Sequence, residues 1–151
     1  VTRFPEWRRD PYLITTDPAR LDVAAIHAYL TTSYWAKGIP IETVRRSIHH
    51  SVNFGILDGA ELVGFARVIT DRTTFGYLGD VFVLEPHRGR GLSKWLMQCI
   101  GEHPELQGFR RWVLLTRDAH GLYRQFGWEP PAHPERYMER WSPDVYEPRR
   151  S

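Results

Sequence analysis

Val83-Leu-Glu-Pro-His-Arg88-Gly89-Arg90-Gly91-Leu92-Ser93 is the stretch on which the reading of this chain turns. Before it, Phe75-Gly-Tyr-Leu-Gly-Asp-Val-Phe-Val-Leu84 is apolar and β-branched, as a strand over about 75–84 requires. After it, Leu92, Trp95, Leu96, Cys99 and Ile100 recur at helical spacing, and Pro104 ends the run. The junction is therefore strand to helix. The first amides of a helix have no internal partner, and the macrodipole adds partial positive charge there. Gly89 and Gly91 let successive N–H groups turn toward one oxyanion, and Arg88 and Arg90 add charge-assisted donors. A diphosphate suits such a cradle. Two familiar nucleotide loops do not fit. Ser93-Lys94 reverses the Gly-Lys-Ser/Thr order of a nucleotide triphosphate loop, and Lys94-Trp95 lacks the third glycine of the dinucleotide fingerprint.

Working outward, Val52-Asn-Phe-Gly-Ile-Leu57 and Glu61-Leu-Val-Gly-Phe-Ala-Arg-Val-Ile69 flank Asp58-Gly59, which predicts a hairpin with those two residues at its centre. Asp71-Arg-Thr-Thr74 is a second turn, so three strands form an antiparallel meander. Gly76 and Gly79 suggest a bulge or a close approach in the third. Upstream, Tyr12-Leu-Ile-Thr-Thr16 reads as a strand, and Asp17-Pro18 as the cap of a helix over about 19–33. Ile41, Val44 and Ile48 mark a short helix ending near His50. Downstream, Arg111-Trp-Val-Leu-Leu-Thr116 is a strand reached by a helical crossover, hence parallel to its neighbour. Residues 119–126 form a helix stopped by Gly127, Trp128 and 136–141 supply closing strands, and the tail from Glu147 frays. The resulting order, β-α-α-β-β-β-α-β-α-β-β, is a mixed α/β sheet in one domain over 1–151, with a core of about 12–141.

Composition narrows the function classes. The net charge of +2 does not advertise a nucleic-acid surface, and the 42% hydrophobic content with no long apolar run argues against a membrane span. A lone cysteine, Cys99, excludes an internal disulfide and a Cys-rich zinc site and is compatible with a reducing cytoplasm. The histidines show no metal-ligand spacing, and Glu42, Arg45 and Arg46 read as a solvated helix face.

Arg88-x-x-Gly91-x-Ser93 resembles the Arg/Gln-x-x-Gly-x-Gly/Ala signature of the GNAT superfamily of N-acetyltransferases, with Ser in place of the last small residue. Leu78-Gly-Asp-Val-Phe-Val83 is similar to the family strand that precedes that loop. Thr116-Arg-Asp-Ala119-His-Gly-Leu122-Tyr123-Arg-Gln-Phe126-Gly127-Trp128 resembles the family's Asn-x-x-Ala-x-x-Leu-Tyr-x-x-x-Gly-Phe, with Thr116 and Trp128 as substitutions. The resemblance implies the GNAT fold and acetyl-coenzyme A as co-substrate, without a metal. It implies that Phe82 and Val83 line the cofactor through main-chain atoms, and that Arg88, Gly89, Arg90, Gly91, Leu92 and Ser93 bind it. Tyr123 becomes the expected general acid.

Asp80, isolated on an apolar strand, is read either as amine anchor or base, or as a structural partner for an arginine such as Arg67. Tyr34 and Trp35, at the break between the first two helices, are read as an acceptor lip or as packing. The expected reaction is acetyl transfer by direct attack of a primary amine on a small molecule, in a cytoplasmic enzyme that relatives suggest to be a homodimer. Acetylation of a protein Lys or N-terminus, and a non-catalytic acyl-coenzyme A sensor, remain as alternatives.

Overall fold

The hairpin centred near Gly59 joins the two central strands of the sheet. In the computed structural model, which describes residues 3–148, six strands run in sequence order across one sheet. They are β1 (Glu6–Arg9), β2 (Tyr12–Thr15), β3 (Val52–Asp58), β4 (Glu61–Thr70), β5 (Phe75–Val83) and β6 (Arg111–Leu114). Neighbours are antiparallel from β1 to β5, and β5 pairs with β6 in parallel. The helices are α1 (Val23–Leu30), α2 (Ile41–His49), α3 (Leu92–Glu102) and the short α4 (His120–Arg124).

Strand alternation divides the apolar residues between two faces. On one face, Phe54, Ile56, Val63, Ala66, Val68 and Leu78 pack under Leu92, Leu96, Cys99 and Ile100 of α3. On the other, Leu57, Leu62, Phe65 and Phe82 pack under Ile26 and Leu30 of α1 and Val44 and Ile48 of α2. The crossover through α3 makes β6 parallel to β5, as expected from a helix between two strands. None of the helices among the described residues is long and apolar enough to cross a membrane.

Several boundaries differ from the sequence reading. Asp17 does cap a helical turn, accepting from Ala19 N, but that turn is only the 3₁₀ segment Pro18–Arg20. Leu21 is extended, and α1 begins after a second cap, Asp22, whose side chain accepts from Ala25 N at 3.0 Å. The hairpin centre is Gly59-Ala60, one residue later than expected, because Asp58 already pairs with Glu61. A Cβ on Gly76 would lie 2.8 Å from Cε3 of Trp112, so this glycine admits an aromatic ring beside the strand.

Two larger corrections concern the ends. β1 lies upstream of the expected core; its Glu-Trp-Arg-Arg run carries one apolar residue, Trp7, which stacks on Phe54 at 6.1 Å and donates to Glu102 at 3.0 Å. The closing strands are absent among the described residues: 134–136 is a 3₁₀ turn, and 137–141 pair with nothing. Trp128 instead packs edge-on against Trp112 and Tyr123. The tail beyond Pro148 lies outside the described residues.

Phe54 is fully buried between Trp7 and His103. Phe54→Ala should lower unfolding free energy by about 3–5 kcal/mol. A shift in urea midpoint worth less than about 1 kcal/mol would contradict this packing.

Candidate active site

Between the pairs Phe65–Phe82 and Arg67–Gly79, Ala66 of β4 faces two residues of β5, Asp80 and Val81. This is a β-bulge, and Asp80 carries it at φ 55°. A left-handed conformation costs a non-glycine residue about 1–2 kcal/mol, least for Asp and Asn. Two donors hold the side chain in place. Arg67 Nε donates to Oδ2 at 2.8 Å, and Trp35 Nε1 donates to Oδ1 at 2.9 Å. The Arg67 and Asp80 side chains are 17% and 11% exposed, so water screens this ion pair little.

The bulge has a consequence for the sheet. β5 pairs with β6 only from Phe75 to Leu78, two residues short of Asp80. A bulge bends and twists its strand. From Gly79 to Val83, β5 has no strand beside it on the β6 side, and of its outward main-chain groups the Val83 carbonyl is taken by Arg88 Nε while the rest have no strand partner there.

That open edge leads into a notch of about 180 Å³ lined by Val83, His87, Arg88, Gly89, Gly91, Leu92, Ser93, Lys94 and Leu122. Gly89 and Gly91 take φ of 79° and 75°, a region that strains any residue with a side chain. Gly91 is the N-cap of α3 and supplies no side-chain cap. The amides from Gly89 to Lys94 meet no acceptor within the described residues. They form a row of donors at the positive end of a helix dipole, which is the chemistry of a diphosphate site.

The two arginines of the loop are fastened to the scaffold. Arg88 Nε donates to the Val83 carbonyl at 2.8 Å, tying the loop to the end of β5. Arg90 Nη1 donates to the Tyr12 hydroxyl at 2.7 Å, and that hydroxyl also bonds His87 Nδ1 at 2.9 Å. Neither Arg90 nor Phe82 lines the notch; Phe82 stacks on Tyr29 at 4.1 Å on the opposite face. Sequence reasoning missed His87, Lys94 and Leu122. His87 and Lys94 adjoin motif residues and Leu122 is itself a motif position; that their side chains reach the notch depends on the turn geometry.

Tyr123 is buried beside the notch residue Leu122 and packs against Trp128. Burial first, then Tyr34 and Asp118, push its hydroxyl up to about pKa 12. The hydroxyl bonds to nothing among the described residues. The only sealed polar side-chain atom there without a partner is Oδ1 of Asn53, so the Tyr123 hydroxyl retains access to the exterior. Tyr34 and Trp35 are both partly exposed and both tied to neighbouring elements. The Tyr34 hydroxyl accepts from Arg117 N at 3.2 Å, the Arg117 guanidinium lies 4.0 Å from the Tyr34 ring centre, and Trp35 reaches Asp80. The loop between α1 and α2 is thereby joined to β5 and to the segment after β6. Among the described residues no cluster of three His, Cys, Asp or Glu could hold a metal.

Residues 6–128 match the family model described as the acetyltransferase (GNAT) family. The chain is 36% identical over 146 residues to a Gibberella zeae protein named as a putative acetyltransferase, covering 82% of this chain and 81% of that protein. It is 50% identical to a crystal structure from Xanthomonas campestris pv. campestris, named as a putative acetyltransferase of the GNAT family. That match covers 91% of this chain and 97% of that one, with a TM-score of 0.89. A Clostridium acetobutylicum protein solved with acetyl-CoA shares the fold at 13% identity and TM-score 0.61, covering 85% of this chain and 93% of that one.

Arg67→Met and Asp80→Asn should each destabilise the fold, the former by about 3–5 kcal/mol because it leaves a buried carboxylate unpaired. The double variant should lose less than the sum of the two, by at least about 0.5 kcal/mol in a denaturant cycle. Strictly additive losses would show that the pair does not hold the bulge.

Proposed function

The chain belongs to the GNAT acetyltransferase family, whose N-acetyltransferases use acetyl-CoA as co-substrate, and on that premise we propose that it acetylates a primary amine on a small molecule by direct attack. The observation that carries this reading is the continuous path from the unpaired amides at the start of α3, along the free edge of β5, to the Asp80 bulge and the Tyr34–Trp35 lip.

When bound, acetyl-CoA supplies an acetyl thioester with a thiol as leaving group. The residues of this chain do the rest. The amides of Gly89 to Lys94 hold the diphosphate oxygens, and Lys94 adds a cation at the rim of the notch. Arg88 and Arg90 act as positioning residues, because Arg88 Nε holds the Val83 carbonyl and Arg90 Nη1 holds the Tyr12 hydroxyl; Arg88 also lines the notch. The main chain of Gly79 to Val83, apart from the Val83 carbonyl held by Arg88, would align the pantetheine arm by strand-like hydrogen bonds. The Tyr123 hydroxyl would give the departing sulfur its proton, and the phenolate so formed would take the proton lost by the acetylated nitrogen, restoring the phenol. A phenol already keeps its proton at neutral pH, and burial raises its pKa further.

Asp80 acts by positioning. Both of its oxygens already accept from the chain, one from Arg67 and one from Trp35, and its backbone sets the bulge. Of the two readings of this residue, partnership with Arg67 has the support of the geometry. The lip favours a small acceptor over a protein segment. Tyr34 and Trp35 are tied to Arg117 and Asp80, which narrows the entrance to the bulge from the α1–α2 side.

Thiol release from acetyl-CoA across an amine panel tests the reading directly; binding without release from any amine would favour the sensor. Tyr123→Phe should lower kcat about 100-fold or more while leaving the Kd for acetyl-CoA within about twofold. The wild-type hydroxyl keeps its proton well past the ordinary tyrosine value near 10, so kcat should not fall through loss of this acid until the pH approaches about 12. Undiminished turnover in the Phe variant would remove Tyr123 from the reaction. Gly91→Val forces a β-branched residue into φ 75° at the cap of α3 and should weaken acetyl-CoA binding at least tenfold by calorimetry; an unchanged Kd would place the diphosphate elsewhere.

A further inference from the structure

On the α1–α2 face, beyond Arg67 from the site above, lies a cavity of about 370 Å³. It is lined by Thr43, Arg46, Ser47 and His50 of α2 and its C-cap, by Ser51, and by Arg67 and Ile69 of β4. Thr43, Arg46, Ser47 and His50 fall at i, i+3, i+4 and i+7, so one stripe of the helix faces it. No carboxylate lines it. Arg67 is the shared wall: its Nε bonds Asp80 at the bulge, and its Nη1 donates to Ser51 Oγ at 3.1 Å.

Several donors that line the cavity have no partner among the described residues. Arg67 Nη2 has no partner among the described residues, yet it is not sealed, since Asn53 Oδ1 is the only sealed unpartnered polar side-chain atom there. Arg67 itself lines the cavity. Arg46, His50 and the Thr43 hydroxyl likewise make no side-chain hydrogen bond among the described residues, and Arg46 makes no ion pair there, whereas its neighbour Arg45 pairs with Glu42. The charge balance is positive. Asp80 neutralises one guanidinium, and the C-terminal end of α2 contributes roughly half a negative charge. Arg46 still outweighs that half-charge. A planar guanidinium favours carboxylate or phosphate.

We propose that this cavity is the subsite for an anionic group on the acceptor, so that the amine acetylated here carries a carboxylate or phosphate at its far end. The proposal rests on the acetyl-transfer reading and names its substrate class. The reacting amine sits by the Asp80 bulge and the oxyanion extends past Arg67 to Arg46, His50 and Thr43. The Ile69 side chain, 44% exposed, provides an apolar wall for the linker. Diamines are disfavoured, because the cavity offers a second ammonium no carboxylate and Asp80 is already engaged by two donors.

The test compares acceptors that differ only in the distal group: 6-aminohexanoate, 6-aminohexyl phosphate, 6-aminohexanamide and 1,6-diaminohexane, with the three- to five-carbon homologues of each. The expected result is kcat/KM about tenfold or more higher for an oxyanion than for the amide of the same length, since a charge-assisted hydrogen bond contributes at least that factor. The carboxylate and phosphate arms identify which oxyanion is preferred. Arg46→Gln, on an exposed helix position that does not threaten folding, should raise KM for the oxyanion and bring the ratio toward one. An amide or diamine used as well as the oxyanion, or a ratio that Arg46→Gln leaves unchanged, overturns the subsite while leaving acetyl transfer intact. Calorimetry with the same compounds in the presence of coenzyme A separates the other failure. Oxyanion-selective binding lost in Arg46→Gln, with no acetylation of any amine, would uphold the subsite and refute the transfer reading; equal binding of amide and oxyanion would refute the subsite.

Discussion

The left-handed turn at Asp80 is the constraint on which the rest of the site depends. It inserts one extra residue into β5 opposite Ala66, and the strand leaves β6 just before it. The conformation costs about 1–2 kcal/mol, and a lone carboxylate this far from water would cost more. Arg67 and Trp35 answer both costs with hydrogen bonds shorter than 3.0 Å. The same contacts fix the α1–α2 loop over the open edge. One side chain thus links the break in the sheet, the lip above it and the guanidinium shared with the neighbouring cavity.

The start of α3 meets a related problem by a different route. A helix N-terminus normally finds a Ser, Thr, Asp or Asn cap. Here the cap is glycine, and a row of amides is left for a ligand. The loop keeps its shape because its arginines are spent on the scaffold: Arg88 binds the Val83 carbonyl, and Arg90 binds Tyr12 on β2. Charge in this loop therefore acts at second hand, through the direction of main-chain N–H groups, and Lys94 is a notch cation with no ion pair among the described residues.

Where local pattern and tertiary pairing agreed, the sequence was legible. The α3 stripe, the meander, the parallel return of β6 and the Tyr123 helix all follow from spacing or from matched motifs. The errors share a cause. Arg136-Tyr-Met-Glu-Arg-Trp141 has the aromatic content of a strand, but composition cannot create a partner, and Met138 and Trp141 remain 97% and 75% exposed. Glu6-Trp-Arg-Arg9 looks too polar for a strand, yet it is an edge strand whose single apolar side chain reaches Phe54. In both cases the deciding contact was with another part of the chain.

The amino-acid sequence by itself determined the elements whose physics is local: the glycines that permit positive φ at 89 and 91, the donors that follow them, and the apolar stripes that assign each helix a buried face. It also carried the family, because the loop and the Tyr123 segment are contiguous motifs. Tertiary structure alone decided what Asp80 does. Its partners lie 13 and 45 residues away, and whether a carboxylate stands free or clamped depends on which strands and loops converge on it, a property no spacing along the chain encodes.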